Sequence, residues 1–168
     1  MKLLVTYASK YGSTAEIAEV IGKELAKRSY DVEVKSINDV GSLAGYDGFV
    51  IGSAVYAGSW VKSAAKFLRS NQEILADYPT WLFSSGPTGQ GDPNELMDGW
   101  TFPENLAAVR EKIKPKDVIL FHGNLDPDKL NFAERMIIKS VKATIGDFRD
   151  WLVIRGWAGR IDLDLQAG

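Results

Sequence analysis

The sequence predicts an α/β protein: a parallel sheet of five strands covered by helices on both faces, a three-layer sandwich. Three observations predict it. Short β-rich apolar runs alternate with segments of helical spacing along the whole chain. The 168 residues are the length of one domain, residues 1–168, with no internal repeat, low-complexity tract or linker to divide them. Hydrophobic residues are 45% and charged residues 25%, the balance of a chain that buries one sizeable core.

Residues 2–7 are β-rich and mostly apolar, as a buried parallel strand requires. Over 13–28, Ile17, Val20, Ile21 and Leu25 share one helical face, and Ser13 with Glu16 three places on is a capping-box pattern. Residues 31–36 alternate Val32 and Val34 with charged neighbours, a half-exposed strand near an edge. Phe49-Val50-Ile51 marks a short buried strand over 47–52. A helix over 61–69 turns Val61, Ala64, Ala65 and Leu68 inward. Trp81-Leu82-Phe83 marks a strand over 79–84, and Val118-Ile119-Leu120-Phe121 another over 117–122. Between them Pro103 is placed as the first residue of a helix running to 112. Two amphipathic helices close the chain, over 131–143 and 148–161; the second packs Trp151, Ile154, Ala158 and Ile161. The longest irregular stretch, 85–102, holds Pro87, Gly89, Gly91, Pro93 and Gly99, and loops of that length are often functional.

Composition excludes several chemistries. Twenty Lys and Arg against 22 Asp and Glu leave a net charge of −2, which gives no footprint for nucleic acid. With no cysteine there is no disulfide, thiolate nucleophile or thiolate-bound metal. One histidine builds no multi-histidine site, so no metal is expected. Redox or nucleophilic work therefore needs carboxylates, hydroxyls or a borrowed cofactor. No leader pattern opens the chain, and no run approaches the ~20 apolar residues of a spanning helix, so a cytoplasmic location is expected.

In open α/β sheets ligands bind beyond the carboxyl ends of the strands. Three loops there are rich in hydroxyls and glycine. Ser9-Lys10-Tyr11-Gly12-Ser13-Thr14 leads into the first helix, where free N–H groups and the dipole favour an anion. It is neither Gly-x-Gly-x-x-Gly nor Gly-x4-Gly-Lys-Ser/Thr, and no acidic pair follows the strand. The second loop, over 52–60, combines Ser53, Ala54, Val55, Ala57 and Gly58 with Tyr56 and Trp60, a floor for a flat ring or a cover for a helix start. The third begins Ser84-Ser85-Gly86-Pro87. His122, at the end of the last strand, is a weak catalytic candidate by its titration range, or a structural hydrogen-bonding residue. Asp126 and Asp128 around Pro127 read as a turn.

Together the three loops resemble the flavodoxin superfamily, with a match through about Ile161. The resemblance implies a flavodoxin-like sheet of order 2-1-3-4-5 and one FMN. Its phosphate would rest on Ser9, Lys10, Tyr11, Gly12, Ser13 and Thr14. Its ring would lie between Ser53, Ala54, Val55, Tyr56, Ala57, Gly58 and the residues Ser84, Ser85, Gly86 and Pro87, with Tyr56 or Trp60 over one face. It also implies that a carbonyl near Ala57–Gly58 turns toward the ring's N5 proton. Gly52-Ser53-Ala54-Val55-Tyr56, Phe132-Ala133-Glu134-Arg135 and Gly146-Asp147-Phe148-Arg149-Asp150-Trp151 are most similar to the group that includes menaquinone-dependent protoporphyrinogen dehydrogenase. Residues 89–102 have no counterpart in that pattern.

Three functions stay open at this point. One is an FMN-dependent oxidoreductase passing electrons to a small molecule such as a quinone. Another is an electron carrier between redox proteins, for which a strongly acidic rim is expected and the second loop holds no carboxylate. The last is an interaction module without cofactor. In the helix over 131–143, Phe132, Ala133, Met136, Ile137 and Val141 share a face and Arg135, Lys139 and Lys142 lie opposite. The expectation is a helix packed on the sheet; the alternative is a basic amphipathic helix that visits the inner face of a membrane. The sequence carries no signal for oligomeric state.

Overall fold

A computed structural model of the chain describes residues 1–140 and 143–167. Strand β1 (Lys2–Ala8) leads into helix α1 (Ser13–Ala26), followed by β2 (Asp31–Ser36) and β3 (Gly48–Tyr56). A two-residue strand β4 (Ser59–Trp60) turns back on β3 before α2 (Lys62–Asp77) and β5 (Thr80–Ser85). A short helix α3 (Pro93–Leu96), helix α4 (Ala107–Ile113) and strand β6 (Asp117–Phe121) come next. The chain ends with β7 (Asn124–Leu125), α5 (Phe132–Ser140), β8 (Gly146–Asp147) and α6 (Trp151–Ala167).

The parallel sheet runs β2-β1-β3-β5-β6, with β4 hydrogen-bonded antiparallel to β3. Leaving β4 aside, the five parallel strands keep the expected 2-1-3-4-5 order. The register sets Val5 beside Val34 on one side and Val50 on the other, and Val50 beside Trp81. Alternation along each strand divides the core. Leu3, Val5, Val50 and Phe83 pack under Ile17, Ile21 and Leu25 of α1 and Ile154, Trp157, Ala158 and Ile161 of α6. Leu4, Phe49, Ile51 and Leu82 face Ala64, Leu68 and Leu75 of α2 and Val109 and Ile113 of α4. Polar ends of core aromatics find carboxylates: the Trp157 indole donates to Asp117 at 2.7 Å and the Trp81 indole to Asp164 at 3.0 Å. Buried Asp162 accepts from Arg28 at 3.0 Å and Tyr30 at 2.9 Å, closing α6 onto the end of α1.

Several expectations are corrected. β3 runs to Tyr56, so the second loop is a hairpin: Val55 pairs with Trp60 and Tyr56 with Ser59. The β-forming Val55 and Tyr56 extend the strand, and Ala57-Gly58 supplies the two positive-φ residues of a tight turn. Helix α2 continues to Asp77 because Leu75, two turns beyond Leu68, is also buried. Pro103 stays extended, with ψ 126°, ahead of a 3-10 turn over Glu104–Leu106, and α4 starts only at Ala107. Asp92 caps α3 by accepting from the Asn94 amide at 2.7 Å, giving the long loop a helical turn that its glycines obscured. The capping box at Ser13 does not form, since Gly12 is the N-cap and Glu16 is drawn 2.8 Å from Arg149 instead. The last helix begins at Trp151, where Asp150 caps it, and extends to Ala167.

The helix expected over 131–143 departs most. α5 covers Phe132–Ser140, and Val141 and Lys142 lie outside the described residues. None of its residues is buried; Phe132 is 82% exposed, Ile137 59% and Met136 55%. It does not pack its apolar face on the sheet. The β7–β8 ribbon holds the ends of its segment, and the sheet's second face is already covered by α1 and α6.

Candidate functional site

The carboxyl ends of β1, β3, β5 and β6 bring the three sequence-marked loops to one rim. Gly12 turns the chain from β1 into α1 at φ 93°, a left-handed conformation open to glycine, and a Cβ there would meet open space. The Ser9 hydroxyl accepts the Gly12 amide at 2.9 Å and fixes the turn. No side chain caps α1, so its first-turn amides keep their donors for a ligand or solvent. The Ser13 hydroxyl is buried and, among the described residues, has no hydrogen-bond partner. The buried Thr14 hydroxyl lies 3.2 Å from that of Ser85, tying the first loop to the third.

The hairpin places its residues at two depths. Val55, Tyr56, Ala57 and Gly58 lie at the rim, with Tyr56 45% exposed; Ala54 and Ser53 are buried beneath them. Ser53 accepts the Val61 amide at 3.1 Å and so caps the entry to α2. Trp60 is also buried: its indole donates to Ser84 at 2.8 Å, and Phe102 meets its ring edge-on at 5.1 Å. Of the two rings offered by sequence, Tyr56 is the one left at the surface. Half-burial pushes its hydroxyl pKa up; Tyr11 and Glu134 act in the same direction and Lys10 against them. Trp100, from the unmatched loop, donates to the Gly58 carbonyl at 3.1 Å. The resemblance implies that a carbonyl near Ala57–Gly58 turns toward a flavin, and here the Gly58 carbonyl is held by an indole.

The third loop packs backbone on backbone. The Gly86 amide donates to Phe121 at 3.3 Å and the Gly123 amide to Pro87 at 2.9 Å. A Cβ on Gly123 would lie 2.8 Å from the Gly86 carbonyl, so only glycine fits without movement. His122 lies with Nδ1 3.3 Å from the Pro87 carbonyl and Nε2 2.9 Å from that of Gly91. A neutral imidazole has one N–H and donates to one of the two. Both nitrogens are directed at the loop backbone, which makes His122 a tether of residues 87–91.

Three further side chains at this rim, Glu134, Lys129 and Arg149, had no assigned role from sequence. Lys10 of the first loop is ion-paired with Glu134 of α5, and Lys129 donates to the Tyr11 carbonyl at 3.4 Å. Lys10, together with Tyr11 and the Asn131 amide, holds the Glu134 carboxyl at about 2, well below the usual carboxylate range. Arg149 is 9% exposed, chelates Asp147 at 2.8 and 2.6 Å, donates to the Ser13 carbonyl at 3.2 Å and lies over Trp151 at 4.6 Å. It fastens the β8 segment beneath the first turn of α1. The helix-like pattern of 131–143 signalled α5, but nothing in the sequence signalled a contact 124 residues away.

The Flavodoxin domain family model matches residues 4–150. The chain belongs to that family. Among curated proteins no relative matches. Of solved structures, a flavodoxin from the domain Archaea is 21% identical, with TM-score 0.57, over 84% of this chain and 99% of that one. Flavodoxin 2 from Bacillus cereus is 23% identical, with TM-score 0.55, over 84% and 99%. Rubredoxin oxygen:oxidoreductase from Desulfovibrio gigas is 13% identical, with TM-score 0.61; the match spans 99% of this chain but 36% of that one. These likenesses share the fold. Membership of the flavodoxin family implies a flavin, and the rim fits its phosphorylated form. An uncapped helix start, an orphaned buried Ser13 hydroxyl and an open Gly12 turn suit an anionic group, and Tyr56 offers a ring at the surface.

Proposed function

We propose that the chain binds FMN and works as a flavin-dependent oxidoreductase. The observation that carries this is the Ser13 hydroxyl, buried without a partner at the uncapped start of α1. The backbone of Gly12, Ser13 and Thr14 with the hydroxyls of Ser9 and Ser13 would hold the phosphate, favoured by the helix dipole. Lys10 stands at the same loop, and its charge is spent on Glu134 until an anion competes for it. Ala54, Val55, Tyr56, Ala57 and Gly58 would border the ring on one side and Ser85, Gly86 and Pro87 on the other, with Ser53 and Ser84 supporting both loops from below. When bound, FMN supplies transfer of electrons in one- or two-electron steps. The protein contributes placement, and His122, the weak catalytic candidate, has both ring nitrogens directed at the Pro87 and Gly91 carbonyls.

For the acceptor we propose a small organic molecule of the quinone class, and for the donor a reduced tetrapyrrole such as protoporphyrinogen. The support is the similarity of residues 52–56, 132–135 and 146–151 to the protoporphyrinogen dehydrogenase group, together with a hairpin that carries no carboxylate. A second reading has equal support from the similar flavodoxins: a carrier between redox proteins. Steady-state assays of the FMN-loaded protein separate them. Porphyrin fluorescence that grows only with added quinone supports the enzyme. Fast reduction of a haem protein, with no quinone turnover, supports the carrier instead.

A further inference from the structure

The segment between β7 and β8 carries α5 in an inverted setting. Glu134 and Ile138, one turn apart, are its half-buried residues, and Glu134 is fastened to Lys10. The side turned to solvent is the apolar one: Phe132, Met136 and Ile137 are each more than half exposed, and Ile145 beyond the helix is 58% exposed. A helix of a water-soluble surface ordinarily does the reverse. The charges are sorted as well. The single carboxylate of α5 is turned inward onto Lys10, while Arg135 and Lys139 are exposed with no carboxylate partner among the described residues.

We propose that α5 is a membrane-docking element that seats the chain on an anionic lipid surface. Phe132, Met136 and Ile137 enter the headgroup boundary, and Arg135 and Lys139 keep their cationic ends at the phosphates, stems along the apolar layer. The charge sorting selects this occupant. A second copy docked through the same face would set Arg135 and Lys139 against themselves across a two-fold axis. An anionic bilayer meets them with opposite charge, although the chain as a whole carries −2. The ion pair of Glu134 with Lys10 and the bond from Lys129 to Tyr11 fix α5 to the first loop, so docking brings the rim to the lipid surface. The proposal stands apart from flavin binding and is tested on the protein with or without FMN.

The test is co-sedimentation with vesicles of phosphatidylglycerol and phosphatidylcholine, against vesicles of phosphatidylcholine alone, at low and high salt. The expected result is binding to the anionic vesicles that weakens with salt. The combined variant Phe132→Ser, Met136→Ser, Ile137→Ser and the pair Arg135→Glu, Lys139→Glu should each lose about tenfold or more of it. Phe132, Met136 and Ile137 are exposed, so the melting temperature of the apolar variant should match that of the wild type, whereas the charge pair loses only the bond from Arg135 to the Leu130 carbonyl and should stay folded. Full recovery of the wild type in the supernatant overturns the proposal, as does undiminished binding by the apolar variant. A concentration-dependent dimer in sedimentation velocity, abolished by the apolar variant and without vesicle binding, assigns the face to a second copy instead.

Discussion

Ser13 and Glu134 are the two residues whose surroundings say most about the rim. A hydrogen bond to a charged group is worth about 1.5–3 kcal/mol, and the Ser13 hydroxyl has no partner among the described residues. Ser13→Ala should therefore weaken FMN about tenfold or more and leave riboflavin, which lacks the phosphate, unchanged in a fluorescence titration. Equal losses for both ligands would place Ser13 elsewhere than at the phosphate. Glu134 carries a pH signature. Its carboxyl is held at about 2 by Lys10, below its ordinary 4.5. The charged form is favoured in the folded chain, so the anchorage of α5 is full above about 4.5 and fades as pH falls through about 2. The protection of the α5 amides relative to their intrinsic exchange rates should fall across that interval, and Glu134→Gln should remove this pH dependence. A local probe is needed because Glu33, held at about 2 by Lys2, titrates over the same range at the other end of the sheet.

Elements were legible in the sequence where one periodicity decided them. All five parallel strands and α1 come from apolar runs and one-sided spacing, and the half-exposed Val32 and Val34 placed β2 at the edge, where it lies. The hairpin was hidden because Val55 and Tyr56 continue a strand into what composition marks as loop. α5 was found but set the wrong way round: its spacing is that of a packed helix, and only the tertiary contact of Glu134 with Lys10 decides which face turns in. At the middle of β3, Gly52 is required by a neighbour rather than by its backbone. A Cβ there would lie 2.0 Å from Phe83, whose ring is boxed in by Phe121 and Trp157, both at 6.0 Å. Gly52→Ala should cost about 1–3 kcal/mol in chemical denaturation. An unchanged midpoint would mean that the Phe83 ring has room to move.

For the whole molecule, the strand order and the strand–helix alternation place the loops after β1, β3 and β5 at one edge without any search for a ligand. That much of the site was legible: the first loop, the Tyr56 ring and the third loop meet there as expected. The roles of Ser53, Ser84 and Trp60 were not, because depth below the rim is set by packing, and all three are consumed beneath it. Nor were Trp100, Arg149 and Glu134, which arrive from distant parts of the chain. No helix among the described residues is long and apolar enough to cross a membrane. The central claim is that the start of α1 is a phosphate site for a flavin. Calorimetric titration of the protein with FMN and, separately, with riboflavin tests it most directly, with Gly12→Asp as the control that sets a carboxylate in that turn. The account predicts one FMN per chain, markedly weaker riboflavin, and loss of FMN binding by roughly a hundredfold or more in the variant. No heat with FMN, or equal affinity for the two ligands, would contradict it.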